Sequence, residues 1–204
     1  MQQEKYSLKV LVDGIALPIY NHQGRLYVEA IPGKSYEILL STPIYNRYCA
    51  VVSVDGLSVT TGRRAALLED SGYLVGGSLR DSTIRISGFR LNDWQVAAFV
   101  FASDDLPDAA LMDTPSDLGV IAAVLYVERE SIRETGWSEE LPFFAMRICD
   151  PVRDTSELNF RTIYGDILES RAEPITFQRG EVVARICLQY ASREALLRAG
   201  INLL

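Results

Sequence analysis

The sequence predicts an all-β fold: a β-sandwich of jelly-roll-like or related two-sheet architecture, with one short C-terminal helix. Three observations predict it. Apolar and polar residues alternate with period two along the whole chain. Turn pairs such as Asp13-Gly14, Pro32-Gly33 and Asp55-Gly56 separate the alternating runs. No amphipathic helix of the length a crossover needs stands between those runs, which disfavours a doubly wound α/β fold.

The elements follow in order. Tyr6 to Val12 places Tyr6, Leu8, Val10 and Val12 on one face, and Asp13-Gly14 turns it into Ile15-Ala16-Leu17. Asn21 to Gly24 is a second turn, followed by a strand over Leu26 to Ile31 and, past Pro32-Gly33, another over Tyr36 to Leu40. The first forty residues therefore read as a β-meander. Arg47 to Val54 is a strand ending in Asp55-Gly56, with Leu57-Ser58-Val59 beyond the turn. Ile84 and Ile86 share a face before Gly88. Val96 to Phe101 and Gly119 to Val127 are apolar on both faces, as central strands are, although a buried helix fits the second equally. Phe143 to Cys149, Phe160 to Leu168 and Val182 to Tyr190 complete roughly ten or eleven strands, the number a sandwich or barrel needs. Gly72 to Gly77 reads as a glycine-rich turn. Ser192 caps a helix over Arg193 to Ala199, with Gly200 as its left-handed terminator, Glu194 in the first turn and Arg198 in the last.

One domain over residues 1–204 is expected, interrupted by a long acidic loop at 104–117. The segments Val10 to Gly14 and Val52 to Gly56 are alike, but two copies are too few for a repeat architecture and read as hairpin ends.

Composition excludes several classes. The chain has 204 residues, 48% hydrophobic and 23% charged, which is an ordinary globular balance and enough chain to bury a core without a metal or disulfide staple. The net charge is −7, carried by the part after Ser103. An acidic surface whose longest basic run is a pair, such as Arg63-Arg64, argues against nucleic acid and against anionic lipid. No apolar stretch is long enough to span a bilayer, and the first residues do not read as a signal peptide, so a cytoplasmic location without membrane insertion is expected. Cys49, Cys149 and Cys187 lie in apolar segments at wide spacing, with no CxxC, so no disulfide framework or zinc site is expected and they read as core residues.

The chemistry-bearing patterns are sparse. His22 is the only histidine and lies in a predicted hairpin turn, so a Ser-His-Asp or Cys-His relay has one place to stand. No GxSxG, HExxH, Walker A or GxGxxG is present. Asp104, Asp105, Asp108, Asp113 and Asp117 supply carboxylates that calcium favours, but their spacing does not fit an EF-hand loop and a solvated acidic loop is the simpler reading. Paired carboxylates for glycoside hydrolysis cannot be picked from 27 acidic residues. No catalytic, metal-binding or cofactor-binding residue is therefore assigned. Trp94, Trp137 and the tyrosines offer aromatic surface for a sugar or peptide groove, though most of the tyrosines sit in or beside strands where packing explains them. The apolar end Ile201-Asn202-Leu203-Leu204 must dock, on its own sandwich or on a neighbour, which makes Ile201, Leu203 and Leu204 candidate interaction residues.

Gly24 to Glu29, Pro32-Gly33, Tyr36-Glu37-Ile38, Ala50 to Leu57, Ser71-Gly72-Tyr73, Ile86 to Arg90, Val96 to Phe101, Gly119-Val120-Ile121, Tyr190 to Leu196 and Gly200-Ile201 together form a recognisable pattern. It resembles an uncharacterised, mostly bacterial group of β-rich proteins of about this size. The resemblance implies a single unit over most of the chain and carries no activity, cofactor or site residue. The functional expectation is a non-catalytic β-sandwich acting through protein contacts, an assembly or scaffold subunit forming homo-oligomers. The alternatives are a carbohydrate or small-molecule binding module and, further off, a hydrolase using paired carboxylates.

Overall fold

A computed structural model describes residues 6–66, 71–78, 82–103, 117–129 and 160–203. The strand predicted over Phe143 to Cys149, Trp137 and most of the 104–117 loop lie outside them. The described residues form two packed sheets and one short helix, an all-β sandwich.

The strands in chain order are β1 (Ser7–Val12), β2 (Ile15–Ala16), β3 (Ile19–His22), β4 (Arg25–Glu29), β5 (Ser35–Ser41), β6 (Arg47–Val54) and β7 (Leu57–Ser58). They continue with β8 (Tyr73–Gly76), β9 (Thr83–Ile86), β10 (Gly88–Asn92), β11 (Gln95–Ser103), β12 (Val120–Glu128), β13 (Phe160–Glu169) and β14 (Arg179–Ala191). The helix α1 spans Arg193–Arg198, with the Ser192 hydroxyl accepting from the Ala195 N–H and Gly200 in the left-handed region, as the capping pattern predicts.

In the first sheet β2, β1 and β5 lie side by side, and the far side of β5 is shared by β9 and β11. β10 pairs with one half of β11 while β13 covers its other side. The chain passes from β5 to β11 between β9 and β10, where Gly88 is required: a Cβ there would sit 2.1 Å from the Ala97 carbonyl oxygen. The second sheet runs β3-β4-β14-β12-β6-β7, with β8 on β6. Its β4–β14 pair is parallel, with Leu26 beside Leu188 and Val28 beside Tyr190.

Alternation decides what fills the space between the sheets. Leu8, Val10, Ile38, Phe99 and Phe101 from one sheet meet Val28, Val52, Ile121, Leu188 and Tyr190 from the other, all buried. Each such side chain contributes roughly 1.5–3 kcal/mol by leaving water. Gly119–Val127 resolves as a strand rather than a helix because β6 and β14 flank it on both edges. The predicted glycine-rich turn at 72–77 is instead strand β8: Tyr48 pairs with Val75, so a neighbouring edge supplies the ladder that local composition does not announce. β3 and β10 likewise extend beyond the sequence reading.

Candidate functional site

The most elaborate polar cluster is built on a hairpin turn. Asp55 and Gly56 have φ of 51° and 77°, the positive pair a two-residue turn of type I′ demands. The turn aims the Asp55 carboxylate between the sheets, and the residue is buried. Its Oδ1 accepts from the Gly119 N–H at 2.8 Å and the Val120 N–H at 3.4 Å, and its Oδ2 from the Thr162 N–H at 2.6 Å. The Tyr190 hydroxyl lies 2.7 Å from both oxygens and donates to them. That leaves the Tyr190 oxygen to accept from Thr162 Oγ1 at 2.7 Å, and Thr162 Oγ1 to accept from the Tyr36 hydroxyl at 2.7 Å. The chain of donors thus runs Tyr36 to Thr162 to Tyr190 to Asp55 and joins both sheets. The Tyr36 ring stacks on Phe101 with centroids 4.1 Å apart.

Burial pushes the Asp55 carboxyl up to about 7, against the Thr162, Tyr190, Gly119 and Val120 donors that pull it down. Burial and the nearby Asp55 charge hold the Tyr36 and Tyr190 hydroxyls well above their ordinary range. With every member enclosed, the cluster has no face for a substrate. It acts as a clamp tying β5, the β6–β7 turn, β12, β13 and β14 together.

A second polar cluster is open. Before β4 begins at Arg25, the earlier part of β14 has no partner on that side among the described residues, and a groove of 840 Å³ opens between it, the start of β1 and the β3–β4 turn. Lys9, Arg25 and Arg185 line it, and no acidic residue among the described ones does. None of the three makes an ion pair among the described residues. Gln189 also lines the groove; it is 5% exposed and its Oε1 has no hydrogen-bond partner. Cys187, on the same wall, is disulfide-bonded, which corrects the expectation that no cysteine would be. Cys49 is free and buried, with its thiol raised by burial.

The third feature is an edge. β13 pairs as a strand with β11 alone among the described residues, and Tyr164, Ile167 and Leu168 on it are exposed. Exposed Leu91 and Trp94 lie at the adjoining β10–β11 hairpin, where the Ser170 N–H donates to the Trp94 carbonyl and the Arg171 guanidinium covers the indole at 5.2 Å.

The C-terminal candidates dock on their own chain. Ile201 is buried with Tyr27, Ala191, Ala195 and Leu196 on the outer face of the second sheet, and Leu203 packs against the same group; Leu204 lies outside the described residues. His22 closes strand β3, paired with Arg25, rather than lying in the turn as predicted, and no group of three or more potential metal ligands gathers among the described residues. Of the predicted acidic loop, Asp117 is described and its carboxylate lies beside Gly56. Sequence reading took Asp55 only as a turn residue and singled out neither Arg25 nor Arg185. No helix among the described residues is long and apolar enough to cross a membrane.

Fold and clusters define a two-sheet β-sandwich with an internal acidic clamp and an outer basic groove. The chain matches no family model, no curated protein and no solved structure.

Proposed function

We propose that this is a non-catalytic β-sandwich that works through protein contacts and associates with copies of itself along β13. The edge itself carries the reading. The other strands with a single partner among the described residues, β2, β3, β7, β8, β9 and β10, are two to five residues long, too short to template much pairing, whereas β13 has ten. Its exposed Ile167 and Leu168, with Trp94 and Leu91 alongside, make an apolar corner of the kind that protein interfaces cover. A bulge opposite Ala97 and Phe99 interrupts the middle of β13, which favours a specific contact over open-ended strand stacking. Closed homo-oligomers are the common product of such a surface.

Light scattering of the native chain against Ile167→Lys tests this. Ile167 is 63% exposed, so the change leaves the core intact. The expected result is an oligomer that becomes a monomer with an unchanged melting temperature. A native chain that stays monomeric at about 0.5 mM, far above the Kd of useful assemblies, overturns the proposal.

A further inference from the structure

We propose that the basic groove beside β14 binds an acidic saccharide, a sugar acid or sugar phosphate of one or two rings. The charge asymmetry comes first. The chain carries a net −7, yet this groove gathers Lys9, Arg25 and Arg185 from three separate strands with no carboxylate among the described residues that line it. Several cations elsewhere are answered one by one: Lys34 by Asp13, Arg47 by Glu128, Arg85 by Glu37, Arg193 by Glu29. Three unanswered cations around one concavity call for an anion.

Gln189 narrows the chemistry. Its buried Oε1 lacks a donor, and a buried polar atom left unpaired costs free energy that a ligand can recover. A bare carboxylate accepts but does not donate, so it answers the cations and leaves Gln189 as it was, and a small phosphate must reach the cations and Gln189 with one P–OH group. The ligand therefore combines negative charge with hydroxyl donors. Ser7 and Asn21 add neutral hydrogen-bonding groups, and Tyr6, Leu26 and Ile186 offer apolar surface for the C–H face of a sugar ring. The volume of 840 Å³ lies within the range of small-molecule sites and leaves room for one or two rings.

Calorimetric titration of the full chain with glucuronate, glucose 6-phosphate, glucose and inorganic phosphate tests the assignment. Either acidic sugar is expected to bind at least about tenfold more tightly than glucose or phosphate, the preferred one showing whether carboxylate or phosphate is the natural charge. Arg185→Ala and Lys9→Ala each weaken that binding by about tenfold or more with the melting temperature unchanged, because a charged hydrogen bond is lost from an exposed side chain. Ile167→Lys, which breaks the self-association surface, leaves it untouched. Equal affinity for phosphate, equal affinity for glucose, variants that bind like the native chain, or no binding of either acidic sugar up to about 10 mM each overturn the proposal.

Discussion

Two turns of this chain share a sequence and differ in everything around it. Val-x-Val-Asp-Gly closes β1 at Asp13-Gly14 and β6 at Asp55-Gly56, and the backbones agree within a degree, φ 52° and 78° against 51° and 77°. At the first turn the carboxylate stands in solvent, 71% exposed, 3.0 Å from Lys34. At the second it is buried and takes donors from β12, β13 and β14. Turn chemistry therefore selects the residue pair, and packing decides whether the side chain is ornament or keystone.

The sharpest way to break the comparison is Asp→Asn at each turn. Asparagine tolerates positive φ, so both hairpins survive, but its amide sets two hydrogens among groups that donate. Asp55→Asn is expected to lose about 3–5 kcal/mol in urea unfolding, as broken buried charge networks do. Asp13→Asn is expected to change stability by less than about 0.5 kcal/mol. Equal losses would dissolve the distinction.

Acidity sharpens it further. The Asp55 carboxyl titrates near 7 when folded and near 3.8 when free. The folded state thus holds the proton more tightly, so this group's contribution is most favourable below about pH 4, declines as pH rises to about 7, and is level beyond, a span of up to about 4 kcal/mol. Urea midpoints of the native chain minus those of Asp55→Asn should trace that decline.

Smaller losses order the donor chain. Tyr190→Phe removes the hydroxyl that meets the carboxylate and should cost about 1.5–3 kcal/mol, whereas Tyr36→Phe removes the outermost donor and should cost about 0.5–1.5 kcal/mol. The reverse ranking in chemical unfolding would mean that the direction of donation drawn above is wrong.

The strand pattern was legible because a two-layer sandwich imposes period two: Arg47 to Val54 runs as read, and the Ser192 cap and Gly200 terminator sit where their side chains require. Strand β8 was illegible because its ladder comes from β6, distant in the chain. The site residues were less legible still. Lys9, Arg25 and Arg185 stand far apart in sequence and meet only because β14 returns beside β4, and Asp55 is told from Asp13 by partners 64 to 135 residues away. Local composition holds no record of such meetings. The disulfide at Cys187 is illegible for the same reason, since spacing alone cannot report proximity.

The position of β14 has a consequence for biosynthesis. It is the last strand described, yet it lies in the middle of its sheet, between β4 and β12. As the ribosome extrudes the chain, β4 and β12 wait with facing edges open. At about 5–20 residues per second the interval between β12 and β14 lasts about 3–10 seconds. During that time the nascent polypeptide presents half a sandwich, apolar and unzipped, to whatever chaperone attends it.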